Sequence, residues 1–300
     1  MHRLEESHTA RTVIRVPDYD LDATLDSGQS FGWTFRDGVW FGVVRGRWVG
    51  LRAVDHGIAV ETALPQASWD WLADYLQTQV DFPAALEDFP ADPPLQEAVR
   101  RHRGLRLLRQ DPWECLASFL LSATKQIIQI QRVFLSLCER FGSPVATPPG
   151  YPQAHQFPSA PTLAEAGEAS LRRCGMGFRA RYLHETAHRV AAGQFDPAAL
   201  RGLSLPEARE RLLSLPGVGP KIADCVLLFS GDQPGAFPID VWVSRALRRR
   251  YFGDRRVSLS RLRTFASSHF GPRAGYAQQY LFHDARRQTH APAEAGIGAG

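Results

Sequence analysis

A tight hairpin rich in Gly and Pro constrains the fold of this chain more than any other segment. It reads Leu-Pro-Gly-Val-Gly-Pro-Lys over 215–221 and joins two stretches with helical periodicity. Glycine permits backbone conformations and close approaches that other residues do not. Pro220 suits the first turn of a helix, where unpaired amides and the helix dipole favour a phosphate.

We therefore predict a helix-hairpin-helix whose amides from Val218 to Lys221 point outward and hold a DNA backbone without reading its sequence. The candidate contacts are Gly217, Val218 and Gly219. A plain turn between two helices is the alternative interpretation.

Two residues near the hairpin have both an ordinary and a chemical interpretation. Lys221 begins the second helix, where a surface lysine could simply add a phosphate contact. Asp240 opens another stretch of helical periodicity, and an isolated aspartate there is typical of an N-cap. A capping carboxylate also tends to stay ionised, which suits the stabilisation of positive charge on a sugar. The local sequence leaves both interpretations open.

The N-terminal region has the pattern of an antiparallel sheet packed on one face. Short β-branched and aromatic runs alternate with turn signals such as Asp-Gly and Asp-His-Gly. The predicted strands are 13–16, 40–44, 48–54 and 58–60.

Helical periodicity dominates the chain after residue 68, and the Pro-rich stretch 89–94 is the candidate domain boundary. The predicted fold class is α+β, an N-terminal antiparallel β-sheet domain followed by a mostly α-helical domain pair that contains the helix-hairpin-helix. The predicted divisions are the sheet domain with helices over 1–95, the helical region over 96–290 with the helix-hairpin-helix at about 206–230, and a disordered tail over 291–300.

Charge and cysteine usage narrow the choice of partners and compartment. Lys and Arg number 35 against 31 Asp and Glu, which weakly favours anionic partners. The four cysteines are scattered singly, without the spacing of zinc or iron-sulfur ligands. No apolar run approaches the roughly 18 residues that a membrane span needs. We therefore expect a cytoplasmic protein with reduced thiols and no membrane partner.

The hairpin and the aspartate together resemble a known signature. Leu-Pro-Gly-Val-Gly-Pro-Lys-Ile-Ala-Asp-Cys over 215–225, followed by Phe-Pro-Ile-Asp-Val over 237–241, is similar to the helix-hairpin-helix, Gly/Pro-rich loop and aspartate of base-excision DNA glycosylases. Within that superfamily most of the chain resembles the eukaryotic-type 8-oxoguanine DNA glycosylases. The supporting stretches are 27–33, 107–116, 175–182 and 277–282.

The resemblance implies a bifunctional glycosylase/lyase that flips 8-oxoguanine out of duplex DNA in base excision repair. Lys221 would attack C1′ and form a Schiff base that permits β-elimination, and Asp240 would stabilise the positively charged transition state. This chemistry needs no metal or organic cofactor, and we expect none. The expected partner is double-stranded DNA containing 8-oxoguanine, bound by a monomer acting on the nucleoid.

The resemblance also implies a pocket for the flipped base. The Gly28 carbonyl could accept a hydrogen bond from N7–H, which 8-oxoguanine has and guanine lacks. Cys225 and Phe282 would sandwich the purine, and Gln278 would bond its Watson–Crick edge. A turn glycine, two core residues and a solvated glutamine are the ordinary alternatives.

Further DNA contacts are expected around the lesion. By resemblance, Phe178 would fill the gap left by the flipped base and Arg179 would face its orphaned partner, although an aromatic residue is more often core. Thr124 and Lys125 stand where the family has consecutive asparagines, which predicts a weaker preference for cytosine opposite the lesion. Trp242 is also an expected contact.

Other interpretations remain open at this point. The arginines over 245–250 could flank phosphates or form a solvated face. A monofunctional glycosylase for alkylated bases would share the fold and the aspartate but activate water, and Lys221 argues against it. A non-enzymatic helix-hairpin-helix module would bind DNA only, and Asp240 argues against that.

Overall fold

The N-terminal sheet has five antiparallel strands in the order β1-β5-β4-β3-β2. This computed structural model describes residues 9–87, 89–122 and 126–290, so the predicted tail and the predicted contacts Thr124 and Lys125 lie outside the described residues. The strands are β1 (Ala10–Arg15), β2 (Thr34–Arg36), β3 (Val39–Val44), β4 (Arg47–Val54) and β5 (Gly57–Thr62).

One face of this sheet is packed, as predicted. Ile58 and Val60 alternate with more exposed neighbours along β5 and lie in a cluster with Leu51 of β4 and with Leu72 and Leu76 of the following helix. Four of the strands match the predicted runs. β2 was not predicted, because Thr-Phe-Arg is too short to display a period of two.

Helices make up most of the remaining described chain, which confirms the α+β class. Their bounds are α1 (Leu21–Leu25), α2 (Asp70–Leu76), α3 (Phe82–Glu87), α4 (Pro93–Arg101), α5 (Pro112–Leu121), α6 (Ile127–Phe141), α7 (Ala160–Leu171), α8 (Arg179–Ala191), α9 (Leu205–Leu213), α10 (Pro220–Phe229), α11 (Val241–Tyr251), α12 (Leu259–His269) and α13 (Ala274–His290).

Local sequence explains where α5 begins and why α7 was not predicted. Asp111 caps α5 by accepting the Glu114 N–H at 2.9 Å, with Pro112 in the first turn. α7 was not predicted, since its Ala-rich sequence is interrupted by Gly167, whose φ is +76°. The predicted boundary near residue 95 stays a prediction; α4 spans it, and its Leu95 packs in the helical core.

The helical core brings three helix ends to one place. α10 packs against both α9 and α5, and α11 packs against α13. The end of α5, the start of α10 and the start of α11 therefore meet at the surface beside the hairpin. Of the helices in the described ranges, none has the length and apolarity needed to cross a membrane.

Candidate active site

Glycine occurs at the two hairpin positions for different structural reasons. Gly217 has a φ of +75°, and a Cβ atom there would lie 2.5 Å from Cδ2 of Tyr182. Gly219 caps α10 at a φ of −100° with open space beside it. The turn and its packing therefore require Gly217, whereas Gly219 leaves room for a partner to approach the backbone.

One predicted amide of the hairpin is already paired. Val218 N–H donates to the Leu215 carbonyl at 3.2 Å, and the Val218 side chain is buried in the core. The prediction of an outward, unpaired amide is therefore wrong for Val218, because the tight turn uses that donor itself. The first turn of α10, which includes Lys221 and Ile222, still presents amides that have no intrahelical acceptor.

The Lys221 side chain is held by the end of α5. Its Nζ atom donates a hydrogen bond to Ser122 Oγ at 3.0 Å and lies 5.3 Å from the centre of the Phe119 ring. Ser122 and Phe119 were not predicted as neighbours of Lys221, because each is separated from it by about a hundred residues.

Asp240 faces the same cleft and also caps a helix. Its carboxylate accepts the Val243 N–H at 2.8 Å, so the N-cap interpretation is confirmed. Asp240 and Lys221 both line a cleft of about 770 Å³, with Ser122 at its α5 side. Burial raises the pKa of Asp240, while the Val243 N–H and the positive charge of Lys221 oppose that rise. The net result is a pKa of Asp240 above its usual value.

The structure brings together part of the predicted base pocket. Gly28 has a φ of +74°, and a Cβ atom there would lie 3.5 Å from the Phe282 ring and 2.7 Å from Cδ1 of Ile127. Gly28 and Phe282 are therefore neighbours. Ile127, the first residue of α6, packs against this turn, a contact that was not predicted from the sequence.

Gln278 and Cys225 are buried rather than solvated. Gln278 lies one turn before Phe282 on α13, and its Oε1 is buried with no hydrogen-bond partner in the described part of the chain. An unpaired buried acceptor is costly, and a base amine would satisfy it. Cys225 lies one turn after Lys221 on α10, and burial raises its pKa to about 12.

Buried glutamines fix the turn that carries Gly28. Gln29 is fully buried; its amide nitrogen donates to the Arg106 carbonyl at 2.8 Å and its oxygen accepts the Leu108 N–H at 2.8 Å. Gln279 donates to the Ser27 carbonyl at 3.1 Å. The supporting role of these residues was not predicted, since a buried glutamine has no local signal that separates it from a surface one.

Phe178 projects from the surface. It is 57% exposed, so the core interpretation is wrong for this residue. Arg179 is half-buried, and its guanidinium donates to the Leu120 carbonyl at 3.4 Å, near the end of α5. Trp242 lines the cleft with Arg245 above its ring.

The arginines of α11 do not all have the same role. Arg245 and Arg248 line the cleft with Lys221. Arg250 instead pairs with the buried carboxylate of Asp284 on α13. Arg250 is therefore structural, and only part of the cluster faces a site where phosphates could lie.

Two family models together match most of the chain. Residues 12–116 match the 8-oxoguanine DNA glycosylase N-terminal domain, and residues 117–266 match the HhH-GPD superfamily base excision DNA repair proteins. The boundary between the two matches lies within α5, at the helix that ends beside Lys221.

Individual relatives agree with the family models. The chain is 32% identical to N-glycosylase/DNA lyase OGG1 of Arabidopsis thaliana, over 87% of this chain and 76% of that protein. It is 32% identical to a probable N-glycosylase/DNA lyase of Methanothermobacter thermautotrophicus, over 91% and 96%. The 8-oxoguanine glycosylase/lyase of Clostridium acetobutylicum, in complex with double-stranded DNA containing cytosine opposite 8-oxoG, superposes with a TM-score of 0.86 at 30% identity, covering 93% and 98%.

Proposed function

The chain belongs to the HhH-GPD superfamily of base excision DNA repair proteins, as an 8-oxoguanine DNA glycosylase/lyase, and we propose that Lys221 and Asp240 carry its chemistry. It is an enzyme that excises 8-oxoguanine from double-stranded DNA and cleaves the strand. The observation that supports this assignment is that the Lys221 amine and the Asp240 carboxylate line one cleft directly beside the hairpin.

The hairpin is proposed to anchor the DNA backbone. Gly217 and Gly219 allow close approach, and the amides in the first turn of α10 favour a phosphate. Holding the backbone there would bring a flipped nucleotide to the Lys221 amine, which lies at the start of the same helix. In this proposal the backbone amides bind the phosphate and the adjacent Lys221 amine carries out the reaction.

The reaction proposed for Lys221 is attack of its free amine on C1′ of the flipped nucleotide. The amine lone pair forms a C–N bond as the bond from C1′ to the base breaks; the base leaves with the electron pair of that glycosidic bond and takes up a proton. The attached nitrogen loses a proton, and the sugar ring opens as O4′ leaves C1′ and is protonated, which gives a protonated Schiff base. β-Elimination then removes a proton from C2′ and breaks the bond from C3′ to the 3′ oxygen, which leaves with its phosphate. An ionised Asp240 would stabilise the positive charge that develops on the sugar.

Base recognition is proposed for the Gly28 turn, for α13 and for Cys225 of α10. The Gly28 carbonyl would accept N7–H, Gln278 would meet the Watson–Crick edge, and Phe282 and Cys225 would contact the purine faces. The buried, unpaired Gln278 Oε1 supports its part of this proposal.

We also propose a cytoplasmic setting, with association with the nucleoid when the enzyme is bound to DNA. The DNA substrate supports this setting, and so do the four cysteines, which are free thiols in the structure. The monomeric state stays a prediction.

Borohydride trapping on an 8-oxoguanine duplex tests the nucleophile. The chain has only two lysines, Lys125 and Lys221, so few amines could form the adduct. We expect Lys221→Gln to abolish the covalent adduct while duplex binding persists, because phosphate contacts and nucleophile are separate functions. Lys125→Gln is the matched control and must still form the adduct, whatever its effect on affinity.

The same experiment separates the alternatives. A monofunctional glycosylase would release the base without an adduct, and a binding module would do neither. An undiminished adduct in Lys221→Gln, or an adduct that peptide mapping places on another amine, would overturn the proposed role of Lys221.

A further inference from the structure

The hydroxyl of Ser122 has a fixed direction. Ser122 follows the last residue of α5, and its hydroxyl donates to the Phe119 carbonyl at 2.7 Å. A serine hydroxyl has one hydrogen and two acceptor lone pairs. With its hydrogen used within α5, Ser122 Oγ can only accept from a further neighbour, and that neighbour is Lys221 Nζ at 3.0 Å.

The end of α5 therefore holds the Lys221 amine. Ser122 accepts one N–H, and the Phe119 ring lies 5.3 Å from the nitrogen, so two contacts come from the same turn of α5. Asp240 lines the cleft that Lys221 also faces. A lysine side chain has four flexible carbons and loses much rotamer freedom when held. Fixing one N–H against α5 directs the rest of the amine toward the cleft.

A simple helix-end role for the hydroxyl does not account for this arrangement. Ser118, one turn earlier on α5, makes the same kind of internal bond, from its hydroxyl to the Cys115 carbonyl at 3.0 Å. Serine hydroxyls in helices commonly form such bonds to the preceding turn. What distinguishes Ser122 from Ser118 is the bond that it accepts from Lys221.

We infer that Ser122 is a positioning residue that aligns the Lys221 amine for attack on C1′. The inference rests on the proposed role of Lys221 as nucleophile and adds a group that does not itself touch the substrate. Its contribution is preorganisation, so it should affect the chemical step and leave DNA affinity nearly unchanged.

The test compares three variants of the full chain with the wild type. Ser122→Ala removes the acceptor, Ser122→Thr keeps a hydroxyl, and Ser118→Ala removes the matched hydroxyl that Lys221 does not use. Single-turnover excision of 8-oxoguanine, the rate of borohydride trapping and the Kd for the lesion duplex are measured for each. Thermal unfolding shows whether each variant is folded.

We expect Ser122→Ala to slow excision and trapping by about tenfold or more, with Kd within about twofold of the wild type. Ser122→Thr should recover most of the rate, and Ser118→Ala should stay close to the wild type. If threonine does not fit at the helix end, Ser122→Cys keeps the volume with a much weaker acceptor and should be as slow as Ser122→Ala.

The outcomes separate this inference from the proposed function. A wild-type enzyme that traps through Lys221, combined with a Ser122→Ala variant of normal rate, would refute positioning and leave the nucleophile intact. An equal loss of excision rate in Ser118→Ala and Ser122→Ala would also refute it. So would a rise in Kd as large as the fall in rate. A wild type without any adduct would instead remove the proposed function.

Discussion

A Cβ atom on Gly217 would lie 2.5 Å from Cδ2 of Tyr182 on α8, at a backbone φ of +75°. Real Cβ atoms do not approach ring carbons so closely, and non-glycine residues adopt this φ at a cost. The hairpin is thus packed against α8 at the position where the turn already requires glycine.

Gly217→Ala should disturb the hairpin through both effects. We expect a loss of about 1 to 3 kcal/mol in the free energy of unfolding and weaker binding to duplex DNA, measured by chemical denaturation and by titration of a fluorescent duplex. Gly219→Ala is the matched control, because open space and a negative φ predict little change in stability. Equal destabilisation in both variants would contradict this account.

Asp240→Asn should slow base release by about a hundredfold or more, with lesion binding preserved, if the charge acts in the transition state. An asparagine oxygen can still accept the Val243 N–H, so the helix cap is kept. Asp111→Asn, at the corresponding cap of α5, is the control for a general capping effect. Unchanged single-turnover kinetics in Asp240→Asn would reduce the residue to a cap.

The pH dependence of excision follows from the same residue. Burial raises the pKa of Asp240, and only the ionised form can stabilise positive charge. As pH falls through this raised pKa the carboxylate is protonated, so the excision rate should decline at a pH above the ordinary aspartate range. Single-turnover rates across pH should show this acid limb in the wild type, and a limb that persists unchanged in Asp240→Asn would assign it to another group.

Gly28→Ala should impair both the turn and the recognition of the lesion. The added Cβ would meet Ile127 at 2.7 Å at a φ of +74°, which we expect to cost about 1 to 2 kcal/mol and to shift the carbonyl proposed to accept N7–H. Excision of 8-oxoguanine and of guanine, measured on otherwise identical duplexes, gives the preference. The double variant with Ile127→Ala relieves the contact but keeps the backbone cost. A fully retained preference in Gly28→Ala would count against the pocket.

Asp284→Asn should destabilise the fold in a pH-dependent way. Burial alone would raise the pKa of Asp284, but hydrogen bonds from His102, Arg250 and Arg101 outweigh it and hold the pKa well below its usual value. A carboxyl whose pKa is lowered on folding adds stability above its unfolded pKa of about 3.9, and that stability is lost as pH falls toward the folded pKa.

At neutral pH we expect Asp284→Asn to cost about 3 kcal/mol, because Arg250 and Arg101 lose the buried carboxylate that is their counter-charge. The difference from the wild type should shrink in denaturant titrations below about pH 4. Glu168→Gln breaks the more exposed pair with Arg172 and should cost less than about 1 kcal/mol. A cost for Asp284→Asn that does not vary with pH would show that its charge is not the cause.

Local patterns in the sequence determined most of the helices and strands and indicated which residues could carry the chemistry. The glycines and proline of the hairpin specify a turn that few sequences can form, and Asp111 and Asp240 specify helix starts by capping. These signals depend on neighbours within a few residues, so they can be interpreted without any knowledge of the tertiary fold. The same holds for the alternation along β5 that packs one face of the sheet.

Only the tertiary structure decided which groups surround the Lys221 amine. Ser122 reaches Lys221 across 99 positions of the chain, and Gln279 supports the Gly28 turn across 252. The Val218 amide was predicted to be free and is paired within the turn. Arg250 was left open between a phosphate contact and a solvated face, and it is paired with Asp284. Such pairings depend on how helices pack, and contacts between residues far apart in the chain leave no periodic pattern along the sequence from which they could be predicted.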